Sequence, residues 1–397
     1  MIAHDVEGEI WAVLRGERVQ PLDAQVFAQL AVNEGVGPLV LQSPSCPALS
    51  GPSRDTLQEE IRRQLALAAV REAELRRLLA ALADAGADVL LIKGAHLAYT
   101  VYPDPALRPR NDTDILVRPG HEHAARRALE TLGYERQPAI TGAAVQGQTI
   151  FERPGVPGTV LDVHWRLATP IVAADPFDFA QLWRRAQFIP RLGPATRGPH
   201  HRDAIAIAAV HLVAHHPNEL GLLWLHDLHL LVRTLDDVDV DVMIAEARSR
   251  RVSTIVATAL RRAEARFPSR QGTTILDSIH DDDSEPSAAL LDRRSLSETA
   301  LMDLRALRGW RARTSYLTGH LFPPSDYMRR RYAPNSRAPL SWLYATRILS
   351  GARKWFRAIT PKKLAMTGRA YVDEDAPRQG AGASDTFYIK HIETSSK

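Results

Sequence analysis

The 397-residue sequence predicts an α+β protein with one small mixed β-sheet and a largely helical C-terminal region. Two observations support this class. Between residues 88 and 167, short apolar runs alternate with amphipathic stretches in the order β-α-β-α-β-β. After about residue 170, apolar residues recur mainly at three- and four-residue spacing. We therefore expect an N-terminal helical region (1–87), an α/β core (88–170), a helical domain (171–370) and a polar, disordered tail (371–397).

The elements of the first half follow from their apolar patterns. Residues 1–50 mix short helical patterns with Pro-rich loops, and a long amphipathic helix is predicted from about Ser53 to Gly86. The core then contains a strand in ADVLLIKG, a helix in AHLAYTVY, a strand in NDTDILV and a helix in HEHAARRALETLGY. Two further strands, in QGQTIFERPG and TVLDVHWRL, close it. The last strand places Val160, Asp162 and His164 on one face.

The second half is predicted to be helical. Apolar helices are expected in DAIAIAAVHLVAHH, GLLWLHDLHLLVRTL and DVMIAEARSRRVSTIVATALRRAEARF. Residues 268–298, rich in Ser, Asp and Arg, are predicted to be a loop or linker. Helices follow around 299–319 and 338–358, and we interpret RILSGARKWFRAI as an amphipathic helix packed on the domain rather than a membrane or nucleic-acid contact.

Composition narrows the class of protein. The 50 Lys and Arg residues exceed the 46 Asp and Glu residues only slightly, so the net charge of +4 permits an anionic ligand without indicating a nucleic-acid-binding protein. The single cysteine, Cys46, excludes an intrachain disulfide. No apolar run reaches the roughly 20 residues that a membrane span needs, and the acidic N-terminus lacks a signal-peptide pattern. We therefore expect a cytoplasmic protein.

Three carboxylates form the first chemical signal. Asp112 and Asp114 are two residues apart at the start of an apolar strand, so their side chains project to the same face. Asp162 interrupts another apolar strand, and the three converge if the two strands are neighbours. Clustered carboxylates repel one another, and they are tolerated where water solvates them or a divalent cation neutralises them. The pattern predicts a site for Mg²⁺, with two ions expected.

A strand–helix turn upstream of these carboxylates has the features of a phosphate-binding turn. Gly94 permits close approach of the backbone, and the N-terminus of the following helix offers free N–H groups. Lys93 and Arg108 add positive charge. The sequence therefore predicts that Lys93, Gly94 and Arg108 contact the phosphates of a nucleotide.

The order of these motifs resembles an uncharacterised nucleotidyltransferase family of the DNA polymerase β-like nucleotidyltransferase superfamily. The resemblance covers roughly residues 55–235, and its motifs here are LLIKGAHLAY, Tyr102, Arg108, DTDILV, LDVHW, HLVAHH and LLWLHDL. Better-known members of the superfamily have Gly-Gly or Gly-Ser where this chain has Lys93-Gly94.

The resemblance implies a residue-by-residue assignment of roles. Asp112 and Asp114 would hold the metal ions, and Asp162 would hold one ion and help to deprotonate the acceptor. Lys93, Gly94 and Arg108 would contact the triphosphate. The implied reaction transfers NMP from an NTP, with ATP the favoured donor, to a hydroxyl acceptor and releases pyrophosphate. The resemblance implies no particular acceptor; the candidates are a small molecule, a peptide or protein and, least favoured, an RNA end.

Two other functional classes fit the same residues. One is a non-catalytic module of the same fold that binds a nucleotide or a partner, and the other is a kinase-like phosphoryl transferase. Pyrophosphate release distinguishes nucleotidyl transfer from phosphoryl transfer, which releases a nucleoside diphosphate.

The histidines admit structural interpretations. His211 and His215 share a helix face next to His216, but zinc is disfavoured because the helix has no HExxH glutamate and no cysteine partner. We expect core histidines, or a helix that closes over the nucleotide. His164 either borders the site or is a hydrogen-bonded structural residue. Trp224 and Asp227 are expected to provide packing and an interhelical contact.

Overall fold

The computed structural model describes residues 2–137, 147–167, 176–216, 220–291, 296–307, 309–333 and 338–359. It confirms the α+β class, with one mixed five-stranded sheet surrounded by helices. The predicted disordered tail (371–397) lies outside the described residues. None of the helices in the described ranges is both long enough and apolar enough to cross a bilayer.

The N-terminal region forms four helices. They are α1 (Ile2–Leu14), α2 (Ala24–Asn33), α3 (Gly37–Gln42) and α4 (Pro52–Asp84). The long helix α4 begins one residue before the predicted start, with Gly51 at the N-cap and Pro52 in the first turn. Its buried residues include four polar or charged side chains and five leucines: Ser53, Glu60, Gln64, Arg71, Leu57, Leu75, Leu78, Leu79 and Leu82.

The sheet is built from five strands with two intervening helices. In chain order these elements are β1 (Val89–Ile92), α5 (Lys93–Thr100), β2 (Thr113–Val117), α6 (Glu122–Thr131), β3 (Glu135–Arg136), β4 (Gln148–Glu152) and β5 (Leu161–His164). A 3₁₀ turn (Pro105–Leu107) lies between α5 and β2. The predicted order is confirmed, with the addition of the short edge strand β3. The strands lie in the order β1-β2-β5-β4-β3.

The strand directions bring three chain segments to one edge of the sheet. Strand β2 runs parallel to β5 and antiparallel to β1. The C-terminal end of β1 therefore lies beside the N-terminal ends of β2 and β5. In this register Asp114 is the direct neighbour of Ile92 on one side and of Asp162 on the other. The expected adjacency of the two carboxylate strands is confirmed.

The two faces of the sheet pack against different helices. Leu91, Ile115 and Val163 pack with α4 and α6. The alternate residues, which include Leu90 and Leu116, pack against the helical domain. Asp114 and Leu116 are two residues apart, so Asp114 projects toward the helical domain. The helical domain thus covers the carboxylate face.

The helical domain begins after the sheet. Its elements are α7 (Phe179–Arg185), the hairpin strands β6 (Gln187–Phe188) and β7 (Arg197–Gly198), α8 (His201–His215), α9 (Leu222–Arg233), α10 (Asp237–Ser249), α11 (Ser253–Glu264) and α12 (Arg270–Ser278). The last long helical pattern is two helices, α10 and α11, with the break at Arg251, whose φ is +57°.

The prediction of a linker over 268–298 is wrong. Helix α12 and a 3₁₀ turn (Pro286–Leu290) fall in this range. The Ser269 side chain accepts a hydrogen bond from the Gly272 N–H and caps α12, and Ile275 is fully buried in the core. Glu285 accepts hydrogen bonds from the N–H groups that begin α11. The polar composition of residues 268–298 led to the wrong prediction, because the short helix α12 is capped by Ser269 and has only one apolar face.

Four more helices follow: α13 (Leu296–Ala306), α14 (Trp310–Leu321), α15 (Ser325–Tyr332) and α16 (Leu340–Ile359). The helix predicted around 299–319 is thus divided near Gly309. The helix predicted around 338–358 is confirmed as α16, where buried Leu343 packs with Met328 of α15.

Candidate active site

A buried ion pair lies at the centre of the carboxylate edge. Nζ of Lys93 lies 2.7 Å from Oδ1 of Asp114, and Nε2 of His164 donates to the same oxygen over 2.8 Å. Nζ of Lys93 also lies 3.5 Å from Nε2 of His164. All three side chains are largely buried. One carboxylate oxygen therefore receives both a cation and an imidazole.

Asp162 is the second carboxylate of this group. It is the direct neighbour of Asp114 across the parallel strand pair, and its Oδ2 accepts a hydrogen bond of 3.3 Å from Gln148 of β4. One ligand atom from each of Asp114, Asp162 and His164 lies within 4.8 Å of the others. Within the ranges that the structure describes, these three side chains form the group able to hold a metal ion.

Asp112 lies at the margin of this group. It immediately precedes β2 and is half-buried, and its negative charge helps to raise the pKa of Lys93. The Asp112 carboxylate is therefore close enough to act on the charge of Lys93. It is not one of the three side chains that could hold a metal ion together, which are Asp114, Asp162 and His164. The structure therefore brings Asp114 and Asp162 together and places Asp112 beside them.

The charges of the ion pair reinforce each other. Burial alone lowers the pKa of Lys93, but the Asp114 carboxylate outweighs it and the pKa is raised. Burial raises the pKa of Asp114, but Lys93 and His164 hold it well below its usual range. Burial, followed by the positive charge of Lys93, lowers the pKa of His164. At neutral pH the site contains an ammonium, a carboxylate and a neutral imidazole.

Lys93 has a strained backbone conformation at the turn between β1 and α5. Its φ is +50°, a region that a non-glycine residue rarely occupies. Such strain is maintained only when the surrounding structure requires it, and it is enriched at functional sites. Here it directs the ammonium toward Asp114.

Gly94 leaves space for a buried guanidinium. A Cβ atom at this position would clash with Nη1 of Arg108. Arg108 in turn donates from Nε and Nη2 to Asp227 of α9, over 2.9 and 2.6 Å, and Tyr102 donates to Asp227 over 2.7 Å. Asp227 was expected to make an interhelical contact, but its partners Tyr102 and Arg108 lie in the connection between α5 and β2. The predicted phosphate ligand Arg108 is thus bonded to a carboxylate behind the turn.

The histidines of α8 lie over the carboxylate face. His211 is half-buried, and its removal from solvent, followed by the positive charge of Lys93, lowers its pKa well below the usual value. The His216 ring stacks on Trp224 with 3.8 Å between centroids, and the rings of His211 and His216 are 4.8 Å apart. Within the described residues, the group that could hold a metal ion consists of Asp114, Asp162 and His164 and includes no residue of α8. His216 and Trp224 thus extend an aromatic cluster from His211, and the charges of Lys93 and Asp114 act on His211 itself.

Sequence reasoning missed two residues at this edge. Arg71 and Arg110 are both buried. Two signals were present: Arg110 is two residues before Asp112, and Arg71 interrupts the apolar stripe of α4 at four residues before Leu75.

The sequence profile of the family described as "uncharacterised nucleotidyltransferase" matches residues 20–268, which include the whole sheet and helices α8 to α11. The chain belongs to this family. The match confirms the resemblance inferred from the motifs between residues 55 and 235 and extends it on both sides.

Among solved structures, the chain is similar to the antibiotic-resistance factor ANT(2'')-Ia, whose solution structure shows substrate-regulated conformation dynamics. The identity is 15%, the TM-score is 0.34, and the match covers 46% of this chain and 93% of that chain. A search of curated protein sequences returns no match to this chain. The assignment to the nucleotidyltransferase family therefore depends on the family profile.

Proposed function

We propose that the protein is a Mg²⁺-dependent nucleotidyltransferase that transfers NMP from an NTP, with ATP the favoured donor, to a hydroxyl acceptor. The observation that carries this proposal is the buried group of Asp114, Asp162 and His164 at the strand edge next to the Lys93-Gly94 turn. Membership of the family supplies the reaction class.

The donor set fits a divalent cation. Two carboxylates supply hard oxygen ligands, and the buried edge already stabilises one positive charge, that of Lys93. Asp114 and Asp162 would hold the metal, with Asp112 as the third carboxylate and His164 as a further ligand. When bound, two Mg²⁺ ions would neutralise the charge that develops on the phosphates.

Residues of the turn are proposed to bind the triphosphate. The N–H groups at the N-terminus of α5, which begins at Lys93, would donate to the triphosphate at the positive end of the helix dipole. Lys93 contributes its ammonium to the phosphates once Asp114 has another cation as a partner. Arg108 would have to leave Asp227 to contact a phosphate directly. While it stays bonded to Asp227, it contributes only its positive charge, from the side of Gly94 opposite to the phosphates.

Asp162 is proposed to act as the base. It accepts the proton of the acceptor hydroxyl, and the acceptor oxygen forms a bond to the α-phosphorus as the bond to the β-phosphate oxygen breaks. Pyrophosphate leaves with the electron pair of that bond. Gln148 fixes the orientation of the Asp162 carboxylate through its hydrogen bond. Positioning and charge neutralisation account for most of the proposed rate enhancement.

The test incubates the full chain with each α-labelled NTP, Mg²⁺ and a panel of alcohol, sugar, aminoglycoside and peptide acceptors. The proposal expects label transfer with one pyrophosphate released per product, and loss of both in Asp162→Asn. Release of a nucleoside diphosphate would instead identify a phosphoryl transferase. Nucleotide binding without any transfer would favour the non-catalytic module.

A further inference from the structure

Two buried arginines lie at the same sheet edge as the carboxylates, and the proposed function assigns them no role. Arg71 of α4 is 8% exposed and Arg110 is 7% exposed. Arg110 comes two residues before Asp112 in the segment that leads into β2. Arg71 projects from the buried face of α4, which packs on the face of the sheet opposite to the one that carries Asp114.

Backbone contacts place both arginines near the start of the central strands. A Cβ atom on Gly158, in the turn before β5, would lie 2.8 Å from Nε of Arg71. The N–H of Thr113 donates to the carbonyl of Val160 over 2.9 Å, so the turn before β5 lies beside the residues that precede β2. The side chain of Arg71 therefore reaches the turn before β5, and this turn lies beside the segment that carries Arg110.

Their guanidinium groups are incompletely satisfied. Nε of Arg71 and both Nε and Nη2 of Arg110 are buried without a hydrogen-bond acceptor. In the part of the chain that the structure describes, neither side chain forms an ion pair with a carboxylate. A buried cation without a hydrogen-bonded counterion is unfavourable, and native structures rarely retain one without a function.

The surrounding charges have both signs: Arg110 and Arg63 lower the pKa of Arg71, whereas Asp112 raises the pKa of both Arg71 and Arg110. Burial, followed by the positive charge of Arg110, lowers the pKa of Arg71 to about 10. Cζ of Arg110 lies 5.6 Å from the centroid of the Tyr99 ring, which supplies no formal negative charge. The other basic groups of the edge differ, because Lys93 is paired with Asp114 and Arg108 with Asp227. An anion is the ligand that would complete this environment.

We propose that Arg71 and Arg110 form a phosphate-binding subsite next to Asp112. Guanidinium groups donate in a planar fork that matches phosphate oxygens, and two such groups provide several charge-assisted hydrogen bonds. The phosphate belongs either to the β,γ end of the donor triphosphate or to a phosphorylated acceptor. Both of these sources of the phosphate rest on the proposed function, whereas the binding of an anion by Arg71 and Arg110 does not.

The test measures binding of tripolyphosphate and of inorganic phosphate to the full chain by calorimetry, without metal. The wild type is compared with Arg71→Gln, Arg110→Gln and the matched control Arg261→Gln. Arg261 lies on α11 and is paired with Asp281, so its replacement makes the same charge change elsewhere. We expect Kd to rise at least tenfold in each subsite variant and to stay unchanged in the control. Equal affinity in all four proteins, or no binding by the wild type, would overturn the proposal.

Thermal unfolding separates loss of the subsite from loss of the fold. Tripolyphosphate should raise the Tm of the wild type and of Arg261→Gln but not that of the subsite variants, because only the folded protein binds it. A Tm increase of equal size in the Arg71 and Arg110 variants would contradict the proposal even if their starting Tm values differ.

Comparison of nucleotides identifies the source of the phosphate. If the donor tail occupies the subsite, Arg71→Gln and Arg110→Gln weaken ATP binding at least tenfold and leave AMP binding unchanged. Unchanged ATP binding with lost inorganic phosphate binding assigns the subsite to a phosphorylated acceptor. If the variants lose tripolyphosphate but the wild type transfers no nucleotide to any acceptor, the subsite stands and the proposed function fails.

Discussion

Nζ of Lys93 lies 2.7 Å from Oδ1 of Asp114, so the carboxylate predicted to bind metal is neutralised by a side chain of the protein itself. The pair joins the strained turn after β1 to the neighbouring strand β2. Because the ammonium occupies the same carboxylate oxygen as His164, metal binding at Asp114 and release of Lys93 are expected to be coupled.

Lys93→Met should therefore improve metal binding while impairing nucleotide binding. Removing the competing ammonium is expected to lower the Kd for Mn²⁺, used as a probe for Mg²⁺, by about tenfold, and loss of a phosphate contact raises the Kd for ATP. Calorimetry with each ligand measures both effects. Arg118→Met is the control, because Arg118 follows the opposite end of β2 and pairs with Asp88. An unchanged Mn²⁺ Kd in Lys93→Met would refute the coupling.

Asp114→Asn should reduce both activity and stability. Activity is expected to fall by about 10³-fold, since the carboxylate binds metal in the proposed mechanism. The unfolding free energy should fall by about 3 kcal/mol, because the buried Lys93 loses its counterion. Urea denaturation and pyrophosphate release measure the two effects.

The double variant Lys93→Met/Asp114→Asn separates these causes. It removes both charges, so it should recover most of the lost stability and none of the activity. Failure to recover stability would mean that the ion pair is not the source of the destabilisation.

The sequence predicted the sheet and the central carboxylates because both depend on local patterns. Two-residue alternation determines which face Asp162 and His164 share, and the apolar run after Asp114 identifies the strand. Local patterns do not show that the two strands are adjacent; the parallel register of Asp114 with Asp162 establishes it.

The partners of the cations depend on long-range contacts that the local pattern does not contain. Arg108 was assigned to phosphate, whereas its guanidinium bonds to Asp227, which is 119 residues away in the chain. The pairing of Lys93 with Asp114 across two antiparallel strands was likewise not predicted. Spacing identifies which residues are charged and near a turn, but burial and packing determine which opposite charge each one meets.

Gly94→Ala should disrupt the turn through Arg108. The new Cβ would clash with the guanidinium, which is held rigidly by Asp227 and cannot move away without breaking a buried ion pair. We expect a loss of about 3 kcal/mol in unfolding free energy and reduced transfer activity. Denaturant unfolding measures the first quantity.

Gly8→Ala is the matched control for that substitution. Gly8 lies in α1, and nothing is within 4 Å of a Cβ at this position. The same change there should stabilise the protein by about 0.5–1 kcal/mol, because alanine favours the helix. Equal effects of the two substitutions would show that the clash with Arg108 is absorbed at no cost.

His96 of α5 should contribute to the acid sensitivity of the fold. Burial, followed by the charge of His201, lowers its pKa to about 3 in the folded protein, whereas an unfolded histidine has a pKa of about 6.5. The unfolded state therefore binds this proton first, and stability is lost as the pH falls from about 6.5 to about 3, by up to about 1.4 kcal/mol per pH unit. His96→Gln removes this titration, so its unfolding free energy, measured in urea from pH 7 to pH 4, should fall less steeply by that amount. A parallel pH dependence in the variant and the wild type would mean that His96 binds a proton as readily in the folded protein as in the unfolded chain.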